Sequence, residues 1–384
     1  MKRSVIIILT AKDEAGTIVF LSSEMKREHL REWRNSTLFY CPGCNDTVQL
    51  KVGDVVIPHF AHKKDKSCSA SFSEGESKEH LLGKQDLYSF FKRTGVEVKL
   101  EPYFNALAQR PDLLVTIGTE QIPIEFQCSN IPIRLIKSRT AGYKKAGMAP
   151  IWILHTPKKI MALPQGVGIF QLSEFEKSFL TETPPKGIIF LTYNPQFKRF
   201  HYYSCLLHIA GRRYIGLHRT LPISKQIFPF ATPKNPTDNE LQSYATLFLS
   251  ARKKFLRNRI LHNRRGVNDP FLRGCYELRI LPSELPLWIG IPVSYLNPFR
   301  EHPCEWQLAF MHYLHKKHLT VQNISADSLY DFARKFVGST DNQLKACIKY
   351  RDFLLSLNIK SIDNIGNFEE EQFIEKLSHK FLAK

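Results

Sequence analysis

The sequence predicts an α/β protein whose central layer runs in the order helix, three strands, helix, strand. Three observations carry that expectation. Leu81, Leu87, Tyr88 and Phe91 recur at helical spacing. Ile124, Phe126 and Cys128 alternate with Glu125 and Gln127, the period of a strand. Ile151-Trp152-Ile153-Leu154 is a short unbroken apolar run of the kind a buried strand carries.

Taken in order, residues 1–70 read as short strands and turns bearing Cys and His, a small zinc-ribbon-like unit. Met1-Lys2-Arg3 before Val5–Leu9 has the look of a signal peptide. The apolar run is too short for one, and Lys12-Asp13-Glu14 follows at once, so it reads as a first strand. Residues 71–182 form the α/β unit. Its helix spans Ser77–Arg93 and a strand follows at Val96–Leu100. Leu113–Ile117 and Ile122–Cys128 form a hairpin across Gly118-Thr119-Glu120. A second helix runs from Ile133 to Ala146 and stops at Gly147, before the strand Ile151–Leu154. Thr181-Glu182-Thr183-Pro184-Pro185 reads as a linker. Residues 183–384 then read as a basic, mainly helical region. It opens with strands at Gly187–Tyr193 and Tyr202–Ile209. Helices follow at Leu241–Arg259, Glu305–Lys317, Leu329–Phe336, Leu344–Leu357 and Phe368–Phe381.

With 384 residues, 43% of them hydrophobic, the chain can bury a core in more than one domain. A charged fraction of 23% argues against wholesale disorder. The formal net charge of +18 has two readings: attraction to a polyanion, nucleic acid first, or a generally basic solubilising surface. No apolar stretch is long enough to span a membrane, so the expected location is the cytoplasm. Eight cysteines there are not a disulfide framework, and the clustering of three of them before residue 70 points to metal.

Phosphodiester chemistry with Mg²⁺ or Mn²⁺ needs a few converging carboxylates. The hairpin offers them. Asp112 opens one strand and the antiparallel return can bring it near Glu125, with Gln127 on the same face as Glu125. Solvated residues on the wet face of a hairpin are the plainer reading. The helix upstream adds Glu76, His80 and Lys84 at i, i+4, i+8, with Glu79 beside that stripe.

These residues resemble a known family. Glu76-Ser77-Lys78-Glu79-His80-Leu81-Leu82-Gly83-Lys84, Arg110-Pro111-Asp112, Ile124-Glu125-Phe126-Gln127-Cys128-Ser129, Arg139 with Tyr143, and Ile151–Leu154 resemble the CoiA competence proteins. Cys41-Pro42-Gly43-Cys44 and His59-Phe60-Ala61-His62 match that family too. The resemblance implies a restriction-endonuclease-like core, a mixed sheet flanked by helices. That superfamily's signature is Pro-Asp, a spacer, then Asp/Glu-x-Lys. By this likeness Asp112 and Glu125 match the metal-binding acids. Glu79 would complete the site, with Glu76 as the alternative, and Arg139 and Tyr143 would contact phosphate. Gln127 stands where the superfamily has lysine. It can orient water but supplies no positive charge, and Lys84 or Lys144 would have to substitute. The implied function is metal-dependent processing of incoming DNA, single-stranded DNA among its forms, in natural transformation and recombination. A DNA-binding or recombination-mediator protein without turnover is the alternative, and a zinc-stabilised interaction module a third. Competence or recombination proteins are the implied partners, with the competence machinery at the membrane as a place of association.

Cys41-Pro42-Gly43-Cys44 can set two thiolates on one Zn²⁺. The preferred set is Cys41, Cys44, His62 and Cys68, and the rival set has His59 instead of Cys68. A redox pair or two buried thiols are the other readings of the Cys-x-x-Cys.

Two basic stretches complete the inventory. Arg252-Lys253-Lys254 with Arg257, Arg259, Arg264 and Arg265 can track a phosphate backbone. Phe197–Tyr203 mixes cations with rings that would stack on bases or pack in a core. His312, His315 and His318 have ligand-like spacing, but an amphipathic helix face explains them better.

Overall fold

The computed structural model describes residues 7–22, 25–54, 56–62, 77–182, 188–293 and 298–363. It is a mixed α/β protein with two sheets among the described residues. The expected helix at Phe368–Phe381 and the Pro-rich part of the expected linker lie outside the described residues.

The first sheet has six strands in the order β1-β6-β5-β4-β2-β3. They are β1 (Ile7–Ile8), β2 (Thr10–Lys12), β3 (Ile18–Phe20), β4 (Phe39–Tyr40), β5 (Thr47–Lys51) and β6 (His59–His62), with helix α1 (Arg27–Ser36) between β3 and β4. All pairings are antiparallel. Helix α1 was not expected. Leu30 is its one buried residue, so its apolar stripe is too thin to register as a period.

The second sheet is built around the predicted layer. Helix α2 (Lys78–Arg93) is capped by Ser77, whose Oγ accepts from His80 N at 3.2 Å. β7 (Glu97–Leu100), β8 (Leu113–Ile117) and β9 (Glu120–Gln127) form an antiparallel meander. After α3 (Ile133–Lys145), β10 (Ile151–His155) lies parallel to β9. α4 (Lys158–Met161), β11 (Gly166–Gln171), α5 (Glu174–Lys177) and β12 (Leu180–Glu182) follow. β13 (Ile188–Asn194) pairs parallel to β10, and β14 (Arg199–Ala210) and β15 (Arg213–Pro222) extend the sheet. The strand order is β11-β15-β14-β13-β10-β9-β8-β7, with β12 against β13.

This corrects the expected boundary between residues 182 and 183. One sheet runs through it, because β13 hydrogen-bonds to β10 on one side and β14 on the other. The mainly helical region begins only at α6 (Asp238–Leu261). α7 (Pro270–Glu277), α8 (Pro303–Lys316), α9 (Ala326–Ala333) and α10 (Thr340–Ser356) complete it. Their core is continuous with Leu207, Ile209, Ile215 and Leu217 of β14 and β15.

Packing on the two faces of β9 positions the site. Ile124 and Phe126 face α2 and share one core with the first sheet. Gly83 permits that approach, since a Cβ there would lie 2.0 Å from the Phe126 ring. The opposite face, expected to be wet, is covered by α3, and Glu125 is only 2% exposed. Gly142 lets α3 close over Gln109, whose amide nitrogen would meet a Cβ at 2.4 Å.

The ring-rich segment Phe197–Tyr203 is mostly core: Phe200, His201, Tyr202 and Tyr203 are buried. His218 Nδ1 sits 3.1 Å from the Pro164 carbonyl, and His201 Nδ1 sits 3.1 Å from His218 Nε2. Burial, then the charges of His218 and Arg199, push His201 down from 6.5 to about 4. Burial pushes His302 down to about 3. Each histidine binds fewer protons folded than unfolded between its two pKa values. Their contribution is therefore full above about pH 6.5 and drains as pH falls towards 4 and 3, at up to ~1.4 kcal/mol per pH unit each. Thermal unfolding should show a falling midpoint from pH 7 to pH 5, with a shallower fall in His201→Gln. An equal slope in that variant would show that His201 is not a source.

Candidate metal and nucleic-acid site

Asp112 stands one residue before β8, where Leu113 pairs with Ile124, so the next position across the ladder is Glu125. Its carboxylate is the meeting point of two elements. Oδ2 accepts the Phe126 amide of β9 at 2.8 Å and lies 3.2 Å from His80 Nε2 of α2. Oδ1 is 3.9 Å from Lys84 Nζ. Burial works against the charge, but His80, Lys84 and the Phe126 amide outweigh it and hold Asp112 well below the usual carboxylate range.

Glu125 has the opposite setting. Its Oε1 accepts from Arg139 Nη2 at 2.5 Å and from Tyr143 Oη at 2.6 Å, both on α3. Burial and the nearby Asp112 charge overcome Arg139 and Tyr143, and Glu125 rises to about 7. Two neighbouring acids thus differ widely in proton affinity, a pattern characteristic of chemically used sites. Among the described residues no donor hydrogen-bonds to Asp112 Oδ1 or Glu125 Oε2.

Lys84 is fully buried and forms an ion pair with Glu101 Oε1. Glu101 Oε2 accepts from Leu9 N at 3.1 Å, Thr10 N at 3.2 Å and Thr10 Oγ1 at 2.8 Å. One ion pair therefore ties the first sheet, α2 and the Asp112 corner together. Of the two proposed substitute lysines, Lys84 is the one beside Asp112, while Lys144 is exposed on α3.

Other predicted residues fall differently. Gln127 turns its amide to Ser129, at 2.8 Å from the carbonyl and 3.2 Å from Oγ. Glu79 lies in the first turn of α2, where its own backbone amide and Ser77 lower its pKa, and His155 is a further charge neighbour. Glu76 lies outside the described residues. Tyr143 is wholly buried, so its hydroxyl serves Glu125 rather than an incoming phosphate. Arg139 keeps 26% side-chain exposure, also bonds the Arg110 carbonyl at 3.1 Å and lies over the Trp152 ring.

The sequence reading missed Glu101 and His155. Glu101 has no periodic signal, being a left-handed residue between β7 and Pro102. His155 ends β10, one place beyond the Leu154–Gln127 pair, and its buried Nε2 has no hydrogen-bond partner. The histidines of α8 do not converge: His312 bonds Glu277 Oε2 at 2.6 Å and His318 lies past the helix end.

In the first sheet, one ligand atom each from Cys41, Cys44 and His62 lies within 4.8 Å of the others. Both ring nitrogens of His62 are buried without a hydrogen-bond partner. Burial raises the Cys41 thiol, but the His62 imidazole and the Cys44 and Gly43 amides bring it to about 6. Two soft thiols and an orphaned imidazole fit a zinc ion. His59 is not in this group. Its Nδ1 sits 2.9 Å from the Ile57 carbonyl, and strand alternation puts it on the face opposite His62. Cys68 lies outside the described residues.

Residues 76–235 match the family model of the competence protein CoiA nuclease-like domain, and residues 22–71 match that of the CoiA N-terminal domain. The chain is 32% identical over 187 residues to the competence protein CoiA of Bacillus subtilis (strain 168), covering 49% of this chain and 48% of that protein. It thus spans about half the length of the curated relative it matches. No solved structure matches. Among the described residues no helix is long and apolar enough to cross a membrane.

Proposed function

Because the chain belongs to the CoiA family of competence proteins, we propose that it processes DNA in natural transformation through a divalent-metal site at Asp112 and Glu125. The nuclease-like segment is read as a restriction-endonuclease-like core, with β7–β10 as its sheet and α2 and α3 on its faces. One observation carries the reading. Asp112, just before β8, lies near enough to Glu125 of β9 for its charge to raise the Glu125 pKa, and each carboxylate has one oxygen outside the hydrogen-bond network of the described residues. Hard oxygen donors of this kind suit Mg²⁺ or Mn²⁺. Such an ion, once bound, would activate water and neutralise charge on the phosphodiester.

The chain's own residues do the rest. His80 and Lys84 keep Asp112 ionised as a ligand. Tyr143 and Arg139 fix the rotamer of Glu125, and the exposed part of Arg139 can meet a phosphate. Glu79 and Gln127 are proposed to hold water beside the metal. The Cys41, Cys44 and His62 cluster is proposed as a structural zinc site, with Cys68 as fourth ligand.

A second reading, DNA binding without turnover, draws on Gln127. Its amide is occupied by Ser129, and the position carries no cation. Cleavage of plasmid and single-stranded DNA with Mn²⁺ separates the two readings. Asp112→Asn and Glu125→Gln are expected to cut the rate by at least ~10²-fold, the scale of losing one preorganised charged group. Gln127→Lys is expected to raise it. Unchanged cleavage in both acid variants would remove these residues from the reaction. Binding without cleavage in every form, Gln127→Lys included, would favour the second reading.

A further inference from the structure

The stretch from Leu241 to Asn268 contains no Asp or Glu and seven Lys or Arg residues. The fold sorts those cations into two groups. Arg252 is buried and donates to the carbonyls of Leu285, Pro286 and Ile289 at 2.7, 2.8 and 3.0 Å. Arg259 bridges Asp269 at 2.8 Å and Glu305 at 2.9 Å. Both therefore hold α6 to the helical core and are taken out of the basic footprint read from the sequence. Lys253, Lys254, Arg257, Arg264 and Arg265 are exposed, and none has a carboxylate within bridging distance among the described residues.

Their arrangement follows from helix geometry. Tyr244, Phe248, Arg252 and Leu256 form the inward row of α6. Lys254, Arg257 and Leu261 stand on the opposite side, with Lys253 flanking. Arg264 and Arg265 continue just past the helix end. Some surface cations elsewhere are paired, Arg219 with Glu240, Arg273 with Glu277 and Lys316 with Glu277, whereas this stretch of the sequence has no acid of its own to offer. A row of uncompensated like charges repels itself and gains nothing for the fold. A polyanion relieves that repulsion.

We propose that this outer face of α6 and the loop after it form a second contact surface for the phosphate backbone of nucleic acid, separate from the Asp112 corner. A charged strand suits a row of cations along a helix, because successive phosphates can each meet one. An anionic lipid surface suits it less. A membrane-lying helix turns a broad apolar face to the bilayer, and here the apolar row of α6 is spent on the protein core, leaving Ile260 and Leu261 exposed at its end. The proposal leans on the DNA reading only for the identity of the polyanion and needs no metal at Asp112.

The test is fluorescence anisotropy of labelled single- and double-stranded oligonucleotides against salt, with the full chain in buffer without added Mg²⁺ or Mn²⁺, so that no metal-dependent cleavage intervenes. The variant is Lys253→Gln with Lys254→Gln and Arg257→Gln. A control removes the same charge from exposed lysines elsewhere: Lys345→Gln, Lys349→Gln and Lys360→Gln. All six are exposed, so both proteins are expected to fold, which circular dichroism checks. The log Kd against log salt slope should become shallower by ~0.7 per lost phosphate contact on single strands and ~0.9 on duplex, and the control should match the wild type. An unchanged slope in the α6 variant overturns the proposal. So does an equal loss in the control, which would make binding a matter of net charge. Binding to phosphatidylserine vesicles that the α6 variant loses, with no effect on DNA, overturns it in favour of lipid. Failure of metal-dependent cleavage with this salt effect intact would sink the Asp112 reading alone.

Discussion

Removing zinc is expected to unfold the N-terminal sheet. Purified protein should carry about one zinc per chain. A strong chelator, or Cys41→Ser with His62→Ala, should lower the thermal midpoint sharply and expose the Phe60 side of the core. The scale follows from the site. Structural zinc in small domains contributes apparent binding energies of ~10–16 kcal/mol, comparable with the whole stability of an ordinary domain. The strands of this sheet are two to five residues long, and two ring nitrogens of His62 are buried with nothing to bond. An orphaned buried polar group costs ~1–3 kcal/mol, and a metal removes that cost. Protein isolated without zinc that melts where the wild type does would end the zinc assignment.

The effect should not stay local. The first sheet shares its core with α2 and β9. Phe20 packs against Tyr88 at 5.1 Å, Gln85 Nε2 donates to the Leu21 carbonyl at 3.1 Å, and Glu101 holds the Leu9 and Thr10 amides. Loss of the sheet would leave Glu101 with only Lys84 of its four donors, beside the Asp112 corner. Weaker DNA cleavage in zinc-stripped protein would then reflect a loosened support rather than a lost catalytic ion.

How much of this was legible depended on whether the deciding physics is local. The helix Ser77–Arg93, the hairpin, α3 and β10 could be read because period and turn residues fix them within a few positions. So could the register that puts Asp112 one place before the Leu113–Ile124 pair, since it follows from the hairpin. The grouping of Cys41, Cys44 and His62 was readable from ligand type and spacing. Exposure could not be read. Glu125 looks like the wet side of an alternating strand, and only α3 folding over it makes it buried. Arg252 and Arg259 look like their basic neighbours, yet tertiary carbonyls and carboxylates claim them. The false boundary at residue 182 has the same origin. Pro-rich composition marks a loop, but whether the next strand rejoins the sheet is a long-range matter.

Lys84→Met is the substitution within the site expected to cost most. Lys84 and Glu101 are both essentially without solvent contact. As a pair they are tolerable, because Glu101 also accepts from three donors and the lysine neutralises it. Methionine fills the lysine's volume but leaves a carboxylate buried without its counter-charge, which costs about 3–5 kcal/mol. Chemical denaturation should show that loss directly. Adding Glu101→Gln should return most of it, because removing both charges is often close to neutral. The same pair of variants tests the link to chemistry. Lys84 is one of the cations holding Asp112 ionised, so in the stabilised double variant the Asp112 pKa should still rise and divalent-metal affinity fall, by ~10–100-fold for a lost supporting contact. His80 and the Phe126 amide would then be left to oppose burial at Asp112. A double variant that recovers stability yet binds Mn²⁺ like the wild type would make Lys84 a structural strut only. One that recovers stability but not metal binding would make it the ammonium that stands in for the lysine missing at Gln127.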